Sequence, residues 1–255
     1  MEEAEILSID GKAMGKMKLP LAFSEKVRPE LILRAVLAEN TRALQPQGHY
    51  PLAGMQTSAR YYGAMHVYRT GRHMGQAIRP REKLGGGVQG KVKRIPSATK
   101  GKRAHPHLVE KTIMEKINRK EYQKAIASAV SATKTTHGKP IIISNEIESI
   151  SKTKDILRLF NTLKVIKRED KKPRIKKGLR RSTRQKHYKK SVLLVISRDD
   201  SAIRAARNIA GVDACVVSRL TANLLAPGGN PGRIAVWSEH AAKEIDASIR
   251  NQTIA

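Results

Sequence analysis

The sequence predicts an α/β fold, a mostly parallel sheet flanked by helices, from which a long basic loop rich in Gly and Tyr extends. Three observations predict it. From residue 141 to the C-terminus, apolar runs of strand length alternate with amphipathic runs of helix length, the order expected of a parallel sheet with crossover helices. Residues 192–197 form a β-branched run interrupted by no charge, as a strand buried on both faces requires. Residues 45–105, in contrast, show no apolar periodicity at all, and a structureless stretch of that length inside a compact domain is functional or disordered.

Taken in order, residues 5–9 read as a short strand, with 17–19 as its partner after the turn at Gly11 and Gly15. Ser24 or Pro29 opens a helix to Leu44, with Leu31, Ala35, Leu37 and Ala38 as core candidates. Asn118 followed by Glu121 resembles a capping box, and Tyr122, Ile126, Ala129 and Val130 then share one helical face. Pro140 precedes a strand at 141–144, and Ile156, Leu159, Phe160 and Leu163 mark the next helix. After the strand at 192–197, Asp200 or Ser201 caps a helix carrying Ile203, Ala206 and Ala210, which Gly211 ends. Strands at 212–217 and 234–237 flank a tight loop at 227–232, and Ser238 caps a final helix through Ile245 and Ile249. The chain of 255 residues thus reads as one α/β domain, 1–255, with an extended loop inserted at 45–105 and a second basic surface loop at 164–190.

The charge defines those two insertions. Lys and Arg number 50 against 22 Asp and Glu, a net charge of +28. Residues 41–109 hold 13 of the basic residues and one acid, Glu82; residues 164–190 hold 14 against Glu169 and Asp170. Each stretch carries +12, so the other 159 residues carry only +4. A nearly neutral body with two intensely basic extensions implies a polyanionic partner. Residues 41–109 also contain ten of the 18 glycines and four of the six tyrosines. Gly admits close backbone approach, Arg forks match phosphates, and Tyr rings stack on unpaired bases. RNA-binding candidates in this stretch are Arg60, Tyr61, Tyr62, Arg69, Arg72 and His73, then Arg79, Arg81, Lys91, Lys93 and Arg94. Lys100, Lys102, Arg103 and His105 complete them. In the second stretch they are Lys171, Lys172, Arg174, Lys176 and Lys177, followed by Arg180, Arg181, Arg184, Lys186 and Tyr188. That second stretch is the richer in Lys, a point charge suited to looser screening of a phosphate backbone.

Other classes are disfavoured. The longest apolar runs, 141–143 and 192–196, fall far short of the roughly 20 residues of a spanning helix. The opening Met1, Glu2, Glu3 is acidic where a targeting signal is basic, which predicts a soluble cytoplasmic protein. Cys215 is the single cysteine, which excludes an internal disulfide and a multi-cysteine zinc site; a small apolar filler of the sheet is expected. The run from Gly85 to Lys91 satisfies G-x-x-x-x-G-K, but Val92 replaces the Mg²⁺-binding hydroxyl. No strand is expected before that run and no helix after it, so the donors of a pyrophosphate site are missing. His105 and His107 lack a third ligand at plausible spacing, and the Gly228–Gly232 run needs no ligand as a turn. No cofactor, metal or small-molecule substrate is expected. The competing reading is an RNA-modifying or nucleotide-using enzyme on a doubly wound fold; a chromatin-type DNA compactor is a second rival.

Several stretches carry a specific resemblance. They are Gly71-Arg72 with Gly75-Gln76-Ala77, and Val92 to Pro96 leading to the run from Lys100 to Pro106. Further on stand Ile175 to Gly178 with Tyr188, the run from Ala205 to Asp213, and Leu225 to Gly229 with Pro231-Gly232-Arg233. On these, the chain resembles the universal ribosomal large-subunit protein conventionally numbered four, in its archaeal form, over essentially its whole length. The resemblance implies a non-catalytic structural protein of the large subunit: an α/β body with a long loop threaded into large-subunit ribosomal RNA. By the same resemblance, neighbouring ribosomal proteins are partners, the protein serves subunit assembly, and the distal loop near 72–93 helps wall the peptide exit tunnel.

Overall fold

The computed structural model describes residues 3–61, 66, 75–84, 89–92, 95–135, 138–166, 173–175, 186–198 and 201–252. Contacts divide the chain into two compact units, Met1–Ala43 with Met114–Ala255, and Leu44–Ile113.

The first unit is built on six strands: β1 (Glu3–Leu7), β2 (Ala13–Lys18), β5 (Ile141–Ile143), β8 (Val192–Ile196), β9 (Val212–Val216) and β10 (Ile234–Ser238). Their order across the sheet is β2-β1-β5-β10-β8-β9. Only β2 runs antiparallel, paired with β1 from Glu3↔Lys18 to Leu7↔Ala13; the other five strands are parallel. The apolar run foreseen at 192–197 is β8, an interior strand between β10 and β9, and all five of its residues are buried. Parallel strands need crossovers, which here run through α1 (Pro29–Arg42) and α2 (Arg119–Thr135) before β5, α3 (Thr153–Thr162) before β8, α4 (Ser201–Arg207) before β9 and the short α5 (Ala222–Leu225) before β10, while α6 (Glu239–Asn251) follows the last strand.

Strand alternation sorts the core into two layers. Leu193 and Val195 of β8 join Trp237 of β10 and the apolar faces of α1, α2 and α6 on one side. Val192, Leu194 and Ile196 join Val236 and the faces of α3 and α4 on the other. Trp237 is fully buried and meets the edge of Phe23 with ring centroids 5.3 Å apart. The expected helical face of Tyr122, Ile126, Ala129 and Val130 is buried, as are Ile156, Leu159 and Phe160. Ser238 caps α6 as expected, its Oγ accepting from the Ala241 amide at 3.2 Å.

Three local expectations need correction. Leu37 is 43% exposed, and the buried stripe of α1 is Ile32, Ala35, Val36 and Ala38. Helix α4 stops at Arg207 rather than running to Gly211; a turn closed by Ile209 N–H donating to Ala206 O follows, and Gly211, at φ +82°, leads into β9. The second basic stretch is not plain loop, since β6 (Arg174–Ile175) and β7 (Lys186–His187) pair antiparallel within it.

In the second unit, β3 (Arg81–Lys83) and β4 (Gln89–Val92) form an antiparallel ribbon with Arg81 opposite Val92. The glycine run therefore follows a strand, contrary to expectation, and Gly90 and Lys91 lie within a strand rather than at a helix start. Residues 85–88 lie outside the described residues. Two glycines allow the backbone to close up here. A side chain at Gly54 would strike the carbonyls of Arg103 and Ala104, and one at Gly101 would strike those of Ile95 and Ala98. Among the described residues of 44–113, Ile95 is the one buried apolar side chain, while Tyr50, Leu52, Met55, Tyr61, Ile78, Leu84, Leu108 and Val109 are exposed.

Candidate nucleic-acid interface

Within 44–113, hydrogen bonding brings two of the predicted arginines side by side. The Arg60 amide donates to Arg81 O at 3.0 Å and the Arg81 amide donates to Arg60 O at 2.8 Å. Such a reciprocal antiparallel pair sets the two side chains on the same face of the ribbon. Like charges directly opposite each other destabilise an isolated ribbon, so the arrangement favours an anion laid across both. Arg81 is steadied from below, its Nη2 donating to Ala77 O at 3.0 Å. Tyr61, next in the chain, is 65% exposed, with its ring open to stacking.

The remaining described candidates surround a second backbone knot. Lys102 N–H donates to Ile95 O at 3.0 Å, and its Nζ donates to Gln56 O at 2.7 Å. Lys102 thus ties its stretch to both Ile95 and Gln56, through an exposed bond in the case of its ammonium. Lys100, Arg103 and His105 are exposed on the same stretch, as are Arg79 and Lys91 on the ribbon and its approach. Lys100 sits at φ +56°, a left-handed conformation that a tight turn imposes on it. Tyr62, Arg69, Arg72, His73, Lys93 and Arg94 lie outside the described residues, as do Lys171, Lys172, Lys176, Lys177, Arg180, Arg181 and Arg184. Arg174 and Lys186 are placed by their backbone alone, on adjoining strands of the β6–β7 pair. Tyr188, just beyond it, is 43% exposed.

The first unit shows where its acids go. Glu39 accepts from the Tyr122 hydroxyl at 2.7 Å and from the Ala222 and Asn223 amides at 2.8 and 2.9 Å, so it caps α5 and ties it to α2. Burial and the Glu39 carboxylate push the Tyr122 hydroxyl well above its ordinary pKa. Asp246 accepts from the Leu21 and Ala22 amides, both at 3.0 Å. Arg233, buried, donates to Leu224 O and Val192 O at 2.7 and 2.8 Å and meets Asp213 Oδ2 at 2.7 Å. Lys190 reaches the same oxygen at 3.0 Å. Burial alone would raise the Asp213 carboxyl, but Arg233 and Lys190 outweigh it and hold its pKa below the usual value. The sequence reading missed these anchors. Their signal was the placing of Asp213 and Arg233 at the ends of the two C-terminal stretches that carried the family resemblance.

The carboxyl ends of the parallel strands are where a doubly wound enzyme binds its nucleotide. Here Glu148 fills that edge, accepting from Ser197 N at 3.0 Å and from Ser238 Oγ at 2.6 Å. Ser197 Oγ in turn donates to Glu244 Oε2 at 3.1 Å, and Asn145 Oδ1 accepts from His240 N at 2.9 Å. Two carboxylates at the strand ends repel phosphate. Cys215, 6% exposed, is held by burial with its pKa pushed up to about 12, the state of an inert thiol. Among the described residues, no group of three or more His, Cys, Asp or Glu is disposed to hold a metal ion, and no helix is long and apolar enough to cross a membrane.

These features define a class first: a protein with an α/β unit tied together by its own acids and with exposed basic side chains along the described part of 44–113, as in the structural proteins of ribonucleoprotein particles. The particular family follows from comparison. The description of the ribosomal protein L4/L1 family matches residues 17–248, and the chain belongs to that family, whose members are structural proteins and not enzymes. Similar curated proteins are each named large ribosomal subunit protein uL4. That of Archaeoglobus fulgidus is 39% identical over 94% of this chain and 97% of its own length. That of Methanoculleus marisnigri is 38% identical over 96% and 98%, and that of Methanococcus vannielii 37% over 94% and 97%.

Proposed function

We propose that this chain is a structural constituent of the large ribosomal subunit that grips large-subunit ribosomal RNA through two basic extensions, 45–105 and 164–190. The observation that carries the reading is the contrast inside 44–113, which buries one apolar side chain among its described residues yet lies almost wholly within the stretch of net charge +12. Such a segment has too little core to fix its own conformation against chain entropy, so an anionic partner must supply the rest. Arg60 and Arg81 would straddle a phosphate, with Tyr61 stacking on a neighbouring base, while Arg79, Lys91, Lys100, Arg103 and His105 supply further contacts. Tyr62, Arg69, Arg72, His73, Lys93 and Arg94 would extend this along the loop, whose distal part helps wall the exit tunnel. Lys171, Lys172, Arg174, Lys176, Lys177, Arg180, Arg181, Arg184, Lys186 and Tyr188 would screen RNA at the edge of the body, where neighbouring ribosomal proteins also pack. Supporting the reading are the family membership and the outward exposure of the cations on the described part of the loop.

Each phosphate neutralised releases counterions, so binding to isolated RNA weakens steeply with salt. Once the loop is enclosed by folded RNA, escape also requires the RNA to open. Sedimentation of ribosomal subunits before and after a high-salt wash therefore tests the reading. The chain should co-migrate with the large subunit and survive the wash. Recovery in light fractions at every salt concentration would overturn the ribosomal assignment, and release by salt alone would overturn the threaded loop.

A further inference from the structure

We infer that the outer edge of the sheet, along β9, is a docking groove for an extended acidic segment of another protein, which adds to the sheet as a seventh strand. β9 ends the strand order, so alternate amides and carbonyls of Val212–Val216 face away from β8. Among the described residues, no backbone hydrogen bond reaches 213–216 from that outer side. The edge is not a flat surface but the floor of a cleft of about 410 Å³. Ile203 and Arg207 of α4 form one wall; Arg219 and Leu224, from the turn after β9 and from α5, form the other.

The chemistry of the cleft selects its occupant. Natural sheet edges are protected by a charged side chain on the edge strand. The only charge on β9 is Asp213, and Arg233 and Lys190 already neutralise it. Arg207, exposed on α4, makes one side of the rim positive, and the half-buried Leu224 gives the opposite wall an apolar surface. A ribose-phosphate backbone offers acceptors in abundance but no regular row of donors for the outward carbonyls of β9. An extended polypeptide offers both at strand spacing. Side chains that alternate along such a strand would set acidic groups against Arg207 and apolar ones against Leu224. The inference concerns the body alone and does not depend on how the basic extensions meet RNA.

The test uses the full-length chain at physiological salt and a capped octapeptide of alternating Val and Glu as the probe. Hydrogen exchange should slow at least fivefold at outward amides within 213–216, and Arg207→Glu, an exposed change, should weaken binding at least tenfold by fluorescence anisotropy. The same peptide with alternate amides N-methylated keeps the charge but cannot pair with an edge, and it should not protect β9. Protection by the N-methylated peptide, protection located elsewhere on this basic protein, or indifference to Arg207→Glu would each overturn the proposal. Displacement of the probe from β9 by an equimolar uridine hexanucleotide would overturn it in favour of an RNA groove.

Discussion

The body and the 44–113 unit hold their backbones by opposite means. In the body, strand alternation drives apolar side chains into two layers, and carboxylates such as Glu39, Glu148, Asp213 and Asp246 turn inward onto backbone amides, hydroxyls and a buried arginine. In 44–113 the fixed points are backbone contacts: the Arg60–Arg81 exchange, the Lys102 amide on Ile95 O, and carbonyls closing on Gly54 and Gly101. Its apolar side chains are mostly exposed and its net charge is uncompensated. The lesson is that acids settle which unit stands alone. The first unit uses carboxylates to tie its own elements, whereas residues 41–109 hold a single acid against 13 bases and have little acid of their own to do so.

The largest expected effect breaks the body. Arg233→Met leaves the Asp213 carboxylate to Lys190 alone and strands the Leu224 and Val192 carbonyls, and urea unfolding of the full chain should show a loss of about 3 kcal/mol. The pH dependence follows from the sign of the Asp213 shift. A carboxyl depressed in the folded state contributes stability above its ordinary pKa of about 3.9, and that contribution is lost as pH falls through the lower folded value. The Arg233→Met variant should therefore lose part of the acid limb of its stability curve. By contrast, Arg72→Ala with Arg79→Ala should leave stability within about 0.5 kcal/mol while impairing incorporation into large subunits more than Lys171→Ala with Lys172→Ala. Equal incorporation of the two pairs would contradict the distinction drawn between Arg-rich and Lys-rich stretches.

Next comes Glu39→Ala, which unpairs two amides at the start of α5 and the Tyr122 hydroxyl; a loss of about 2 kcal/mol is expected, against about 1 for Tyr122→Phe. A third change sharpens the contrast from the other side. Gly101→Ala pushes a methyl group into the Ile95 carbonyl and should alter proteolytic cleavage within 44–113 while the urea midpoint of the body stays put. The smallest effect is at Cys215, whose raised pKa and burial predict alkylation no faster than unfolding. Rapid labelling of the native thiol would show that the β9 edge opens.

Much of the fold was legible because β8 and its neighbours are buried on both faces, where composition alone marks a strand. The α1 stripe was not. Leu31, Ile32, Leu33, Val36 and Leu37 point all round that helix, so periodicity does not choose among them; packing against α2 and α5 selects Ile32 and Val36. The internal anchors were equally hidden, since Glu39 lies 183 residues from Ala222 and no local pattern links them. Of the candidate site, sequence charge marked the residues but not the register, so the meeting of Arg60 with Arg81 and the bond from Lys102 to Gln56 emerged only from the structure.

The central claim is that the body folds on its own contacts while the basic stretches are ordered by RNA. Hydrogen exchange of the full chain, free and bound to large-subunit ribosomal RNA, tests it most directly. The account predicts that amides of α2, β8 and β10 are protected to the same degree in both states, and that those of 44–113 and 164–190 gain protection only with RNA. Body amides that become protected only on binding, or a 44–113 segment unchanged by RNA, would contradict it.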